Sequence, residues 1–432
     1  MTKPKHLVAA SIAGLALLVG GTGSAIAQQK ELRIAYQPNP IQDTSIEMME
    51  KWGAKNNVKI VKVPNSYGVY VEKMTASLTS GSDQYDIIWH NDDWGQLWAH
   101  LVEPMDDVPG LKYADPWSND PVIFNNKDGK ITVVPMGQTI GALFYRTDLI
   151  KPNELPKTWA ELVALSKKLQ SAGKVKYGYV GGMAMNATWF SWLWSMWNNN
   201  CDVLLPLFER SNAVLAKNDW KPGLDQPCMR QVAEFWWDAV HKDKIVPPGM
   251  PTYGRNEANA VFTAGDAAIT VADTTYWGEF NNPAKSKAAG KVAIAGFPSG
   301  PMSKKPSIVW NEIWGWAIPK TIPAERKVLA KKMLSDMMLD KEGQIALWKK
   351  TGVPPPNKDL WAEIGKTDPN MQEMLKFYLN NPNKVHSAFY FEKWPAVHKA
   401  YSDAMVKSVT GKREDIPKAL AEGAVNVHNA AK

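Results

Sequence analysis

The sequence predicts an α/β fold divided into two lobes, on three observations. Between Leu32 and Trp89, short β-branched runs alternate with amphipathic helical stretches, a pattern that gives parallel strands with right-handed crossovers. Ile131–Ile150 then holds two apolar runs, Ile131–Pro135 and Ala142–Tyr145, broken by Gly137, Gln138 and Thr139. Two strands joined through a polar break suit a chain passing from one lobe to another, although a hairpin within one domain gives the same pattern. Finally, 432 residues are enough for two cores.

Each element follows from local pattern. Leu32–Tyr36 is a predicted strand, with Gln37 and Asn39 in the loop beyond it. Ser45–Lys55 is a predicted helix, because Ile46, Met49 and Trp52 recur at helical spacing. Lys59–Val63 is the second strand, Tyr70–Leu78 a helix stopped by Ser80–Gly81, and Tyr85–Trp89 the third strand. The polar string His90–Asn91–Asp92–Asp93 follows it. Ligands of parallel sheets bind beyond the carboxyl ends of the strands, so the loops after Tyr36, Val63 and Trp89 should share one rim. Past the crossover come a helix at Trp159–Gln170, a strand at Tyr177–Val180, the aromatic run Trp189–Trp197 and a helix at Val232–His241.

Composition narrows the class. Hydrophobic content of 45% and charged content of 22% are those of a globular protein. The net charge of +7 falls to +5 without Lys3 and Lys5, and the remaining lysines are mixed with acids, which argues for a solvated surface rather than a nucleic-acid partner. Lys3 and Lys5, the apolar run Leu7–Val19 and Ala25–Ile26–Ala27 have the layout of a secretory signal peptide over 1–27. No cysteine follows that site, so a soluble periplasmic protein is expected rather than a lipoprotein. In an oxidising compartment Cys201 and Cys228 are expected to form a disulfide, the alternative being two buried thiols. No metal-ligand spacing, phosphate loop or nucleophile elbow is present, so no metal, cofactor or nucleophilic triad is expected.

The strings VVPMGQTIGALFYRTDL and LPKTWAELVALSKKLQ resemble the family 1 extracellular solute-binding proteins of ABC importers, which include the maltose-binding members. MTASLTSGSDQYDIIWHNDDWGQLWAHLVEPMDD, FTAGDAAITVADTTYW, LDKEGQIALWKKTGVPP and the closing stretch from Lys393 are similar to further landmarks of that family, in the same order. Three positions depart from its pattern. Tyr145–Arg146–Thr147 stands where Tyr-Asn-Lys is usual, Thr275 replaces a glycine, and Asn311–Glu312 replaces Gly-Gly. The resemblance implies the two-lobe periplasmic-binding-protein fold of type II, each lobe a mostly parallel sheet flanked by helices, joined by hinge crossings. It implies an N-terminal lobe of 28–138 plus about 311–347, and a C-terminal lobe of 139–310 plus about 348–432. It further implies a monomer that hands a small solute to a membrane permease without altering it.

The 20 tryptophans are the main chemical signal. An indole offers an apolar plate and one donor, which suits a sugar ring when carboxylates and amides pair its hydroxyls. Most should be packing, and Trp52, Trp236, Trp237 and Trp348 sit in helical patterns that say so. The candidates for the cleft are Trp89, Trp94, Trp189, Trp192, Trp277, Trp310, Trp314 and Trp394, the last standing where maltose-binding relatives carry a stacking tryptophan. Polar candidates are Tyr36, Gln37, Asn39, Ser66, Tyr67, His90, Asn91, Asp92, Asp93, Gln138, Thr139, Asn186, Asp273, Asn311 and Glu312. One of Asp92 and Asp93 is expected to cap a helix and the other to bind. Arg255 has two readings, an anionic partner or a surface salt bridge, and the second is preferred.

Three functions compete on these residues. A binder of a sugar, glycoside or polyol closes its lobes around the guest. A secreted glycoside hydrolase needs two carboxylates at a set separation, and no spacing here selects a pair. A quaternary-ammonium binder needs an aromatic cage but few hydroxyl partners.

Overall fold

The computed structural model describes residues 29–113, 128–208, 219–305, 307–357, 359–381, 383–386, 389 and 391–432. The predicted signal segment 1–27 lies outside them. The strands are β1 (Lys30–Tyr36), β2 (Val58–Pro64), β3 (Ile87–Asn91), β4 (Val134–Arg146), β5 (Tyr177–Val180), β6 (Leu204–Leu205), β7 (Lys221–Pro222), β8 (Ala267–Asp273), β9 (Val292–Ala295), β10 (Val309–Ala317) and β11 (Lys384–His386). The main sheet runs β2-β1-β3-β10-β4-β8-β5, with β9 on β4 and β11 on β10. Pairing is parallel between β1 and β2, β1 and β3, and β5 and β8, as the strand–helix alternation requires. It is antiparallel between β3 and β10, β10 and β4, β4 and β8, and β4 and β9, while β11 pairs parallel with β10. Helices flank this sheet, so the α/β class is the one observed.

The predicted break at Gly137–Thr139 is not a break. β4 is one continuous strand of 13 residues, whose first half pairs with β10 and whose second half pairs with β8 and β9. Glycine serves close approach here rather than a turn. A Cβ on Gly137 would collide with the Val353 side chain, and one on Gly141 would strike the ring of Trp310.

Other boundaries moved for local reasons. The first helix spans Pro40–Asn56, because the Asn39 side chain accepts from the N–H groups of Ile41 and Gln42 at 3.0 and 3.1 Å and starts it early. β3 begins two residues later than the sequence suggests, because the buried Asp86 accepts from Arg33 and Arg326.

Two large hydrophobic cores form. One draws on Leu32 through Met136 and on Ile313 through Val353; the other draws on Ile140 through Trp310 and on Trp361 through Val427. They part between Met136 and Ile140 on β4, and between Trp310 and Ile313 on β10. The four helix-pattern tryptophans pack as expected, with Trp52 donating to Asp336, Trp236 to Ser195, Trp237 to Gly411 and Trp348 to Asp368.

Cys201 and Cys228 are joined, with their Cα atoms 5.8 Å apart, and the bond ties the end of the Trp192–Trp197 helix to the Pro227–Trp237 helix. It closes a loop of 27 residues. Chain entropy gives such a loop about 3 kcal/mol. Urea unfolding of the oxidised protein against Cys201→Ser should show a loss of that order.

Candidate functional site

Strand register gathers four carboxylates where the cores part. β3 ends at Asn91, which faces Trp314 of β10. Two residues back along β10, Glu312 faces Thr139 of β4. Two residues along β4, Gly141 faces Asp273, the last residue of β8. Asp92 and Asp93 follow β3, so all four acids meet at one seam. Each is at most 4% exposed.

Their partners are short polar contacts. Asn91 and Asp92 both accept from the Asp93 N–H, at 3.2 and 3.0 Å, and Asp92 also accepts from Ile313 N at 3.3 Å. The turn is thus capped by Asn91 and Asp92 together. Asp93 faces the other core, where Trp394 Nε1 donates to its Oδ1 at 2.9 Å. Asp273 accepts from Thr275 through N–H and hydroxyl, and Glu312 accepts from Trp314 Nε1 at 3.2 Å.

Burial dominates the electrostatics. It pushes Glu312 up to about 8, with Arg255 pulling down and Asp273 and Asp93 pushing further up. It pushes Asp93 up to about 6 against the Trp394 hydrogen bond and Arg255. Asp92 lies well above its ordinary value, through burial and then Asp93 and Glu312. Asp273 is raised by burial against the pull of Arg255 and Thr275. Burial opposes the charge of Arg255, but Tyr276, Glu312 and Asp273 more than restore it. His398, packed on Trp394, is held down to about 3 by burial and Arg255.

Beside this seam lies a cavity of about 590 Å³. One wall is formed by the loops after β1 and β2, with Gln37, Asn39, Asn65 and Ser66, and by Tyr67. The other carries Asn186, Arg255, Asn256, Thr275, Tyr276 and Glu279, while Trp314 of β10 lines it between the two. Arg255 Nε donates to the Asn186 carbonyl at 2.6 Å. Its guanidinium lies 4.8 Å from the Trp189 ring centre and 5.7 Å from that of Tyr67, one ring from each wall. A cavity with amides, a cation, a carboxylate and aromatic rings can hold a small polar guest.

The family model for bacterial extracellular solute-binding proteins matches residues 47–373. This chain belongs to that family. A probable ABC transporter-binding protein of Deinococcus radiodurans is 26% identical over 268 residues, covering 59% of this chain and 60% of its own length. A mannitol-binding protein of Pseudomonas aeruginosa is 24% identical over 267 residues, covering 59% of this chain and 56% of its own length. The chain thus spans a little over half the length of these curated relatives. An ABC transporter solute-binding protein from Agrobacterium radiobacter K84, solved in complex with ribitol, superposes with a TM-score of 0.76 at 21% identity, covering 93% of this chain and 98% of that one. That likeness fixes the two-lobe fold.

In this solute-binding protein the sequence candidates fall into three groups. Gln37, Asn39, Ser66, Tyr67 and Asn186 line the cavity, Asn39 while also capping its helix. Asp92, Asp93, Asp273 and Glu312 sit one layer behind, coupled to the wall through Thr275 and Trp314. With them are Asn91, the buried Thr139, whose hydroxyl has no partner among the described residues, and Asn311, paired in the sheet with Ile140. Trp189 backs Arg255. Trp394 stacks on His398 and Tyr401 at 5.5 and 6.0 Å between ring centres.

The third group stands away from the cavity. Trp310 lies flat on Phe297 inside the second core, its ring against Gly141. Trp277 faces Phe144 at 6.2 Å in the same core. Tyr36 ends β1 buried, and His90 packs edge-on to Trp98 with Nδ1 2.9 Å from the Asn91 carbonyl. Of Gln138 only the backbone is placed, at the β4 position opposite Ile313.

Arg255 is the residue the sequence reading undervalued. It forms no ion pair among the described residues and opens the Arg255–Thr263 helix into the cavity, so the surface salt bridge is corrected. Tyr276, Asn256, Glu279 and Asn65 were also not singled out. Tyr276 and Glu279 stand beside Trp277, at the start of the same short helix. Among the described residues no group of acids, histidines and cysteines could hold a metal ion, and no helix is long and apolar enough to cross a membrane.

Proposed function

We propose that this protein is the substrate-binding component of an ABC importer, which takes a carbohydrate (a sugar, glycoside or polyol) into the cavity between its lobes and delivers it unaltered to a membrane permease. The observation that carries this is the cavity itself, walled by residues of both cores and rich in amides and aromatic rings. Gln37, Asn39, Asn65, Asn186 and Asn256 supply donors and acceptors for hydroxyls, and Tyr67, Tyr276 and Trp314 supply ring faces. The mannitol-binding relative and the ribitol-bound structural neighbour favour the polyol end of this range.

The lobes are 28–138 with about 311–347, and 139–310 with about 348–432, and the parting of the cores on β4 and β10 supports that division. Closure swings these bodies about the two crossings, and ligand contacts present only when shut drive it. The protein works as a periplasmic monomer and breaks no bond.

A thermal-shift panel of sugars, polyols and betaine tests this. A true ligand at about 100 times its Kd adds about 2.7 kcal/mol to stability. Stabilisation by betaine alone, or turnover of a chromogenic glycoside, would reject the proposal.

A further inference from the structure

We infer that the cavity selects a hydroxylated solute carrying an anionic group, a carboxylate or a phosphate ester, which Arg255 and the start of the Tyr67–Thr79 helix hold together. The inference rests on the reading above that the guest is polyhydroxylated, and adds its charge.

Arg255 is set as an anion receptor rather than as half of a salt bridge. Among the described residues no carboxylate pairs with it directly, although it lies within electrostatic reach of Glu312 and Asp273. Of its five N–H donors, Nε is taken by the Asn186 carbonyl at 2.6 Å, and another meets Tyr276. Among the described residues the rest of the fork has no partner and remains for a guest. The Trp189 ring, 4.8 Å away, and the Tyr67 ring, 5.7 Å away, lie beside the guanidinium, and its planar fork suits bidentate recognition of a carboxylate or phosphate.

The helix that starts at Tyr67 is the second, independent part. Ser66 precedes it without a side-chain capping bond, and its first turn holds no acid. Ser66, Tyr67 and Gly68 all line the cavity. The neighbouring Pro40–Asn56 helix reaches the same cavity but is already satisfied, by the Asn39 cap and by Asp43 in its first turn. One start is therefore closed and the other presents backbone N–H groups and the positive end of its dipole to the guest.

Acids meet this field mostly from behind the wall. Glu279 is the one acid among the described lining residues. Asp92, Asp93, Asp273 and Glu312 lie one layer behind the wall, and burial raises all four carboxyls toward their neutral forms.

Titration calorimetry on the intact protein with matched pairs tests the inference: D-gluconate against D-glucose for a carboxylate, and glycerol 3-phosphate against glycerol for a phosphate. The expected result is one anionic member binding about tenfold or more tighter than its neutral partner, with added salt shrinking the gap. Arg255→Gln should bring the ratio of the two affinities toward one. Gly68→Asp should do the same without threatening the fold, because a Cβ at Gly68 meets nothing within 4 Å and an acid in a first helical turn is stabilising. Neutral partners that bind as tightly as the anions, or variants that leave the ratio intact, overturn the inference while carbohydrate binding stands. Failure of every hydroxylated solute, charged or neutral, in the wider panel overturns both.

Discussion

Replacing Glu312 by glutamine should make the protein more stable at pH 8 and leave it nearly unchanged at pH 5. Glu312 is 2% exposed, and its carboxyl is pushed from the ordinary 4.5 up to about 8, chiefly by burial. Between those two values the folded state holds a proton that the unfolded chain has lost. Stability therefore falls as pH rises through that window. Asp92, Asp93 and Asp273 are raised too and act in the same direction. A displacement of this size corresponds to roughly 3–5 kcal/mol at full ionisation. Glutamine cannot ionise, yet its amide oxygen can still accept from Trp314 Nε1. Urea unfolding of both proteins at pH 5, 6.5 and 8 should show the wild type losing stability faster. The variant should lead by about 2–4 kcal/mol at pH 8, after relaxation and the other acids take their share. Parallel curves for the two proteins would mean that Glu312 is ionised and paired, and the electrostatic account of the seam would be wrong.

This seam also marks what the sequence could and could not tell. The parallel ladders were legible because strand–helix alternation is a local pattern, and Tyr177–Val180 appears with its predicted bounds. Asp92, Asp93 and Asp273 were legible because strand ends are local and acids there stand out, whereas Glu312, inside β10, stood out only as an acid where the resemblance leads one to expect Gly-Gly. Which tryptophan meets the cavity was not. Trp310 and Trp314 lie on one strand, an even number of residues apart, and so share a face of β10. The strand leaves one core and enters the other between them, so Trp310 is packed away while Trp314 lines the cavity. No periodicity carries that information; it depends on where β4 and β10 cross. Arg255 failed for the same reason. Its surroundings come from Tyr67, Asn186 and Trp189, all distant in sequence, and a lone arginine at a helix start looks like any surface charge.

Trp394→Ala should have the largest effect of any single substitution at the seam, and it should act in two ways. From the sequence alone this change is expected to weaken binding without unfolding the protein. The ring's burial adds a stability cost. Trp394 is 1% exposed, stacked on His398 and Tyr401, and belongs to the second core. Truncating such a ring costs about 3–5 kcal/mol. The indole also donates to Asp93, which belongs to the other wall, so its loss leaves a buried carboxylate without its donor. Trp394→Phe separates the effects, because it keeps most of the ring and removes only the N–H. The phenylalanine variant should lose about 1–3 kcal/mol, most of it above the Asp93 value of about 6, because that bond is one that favours the ionised carboxylate. The same bond joins the two walls, so the phenylalanine variant should also shift small-angle scattering of the ligand-free protein toward a larger radius of gyration. A phenylalanine variant as stable and as compact as the wild type would show that Trp394 contributes only its ring to the core and that Asp93 finds its partner elsewhere.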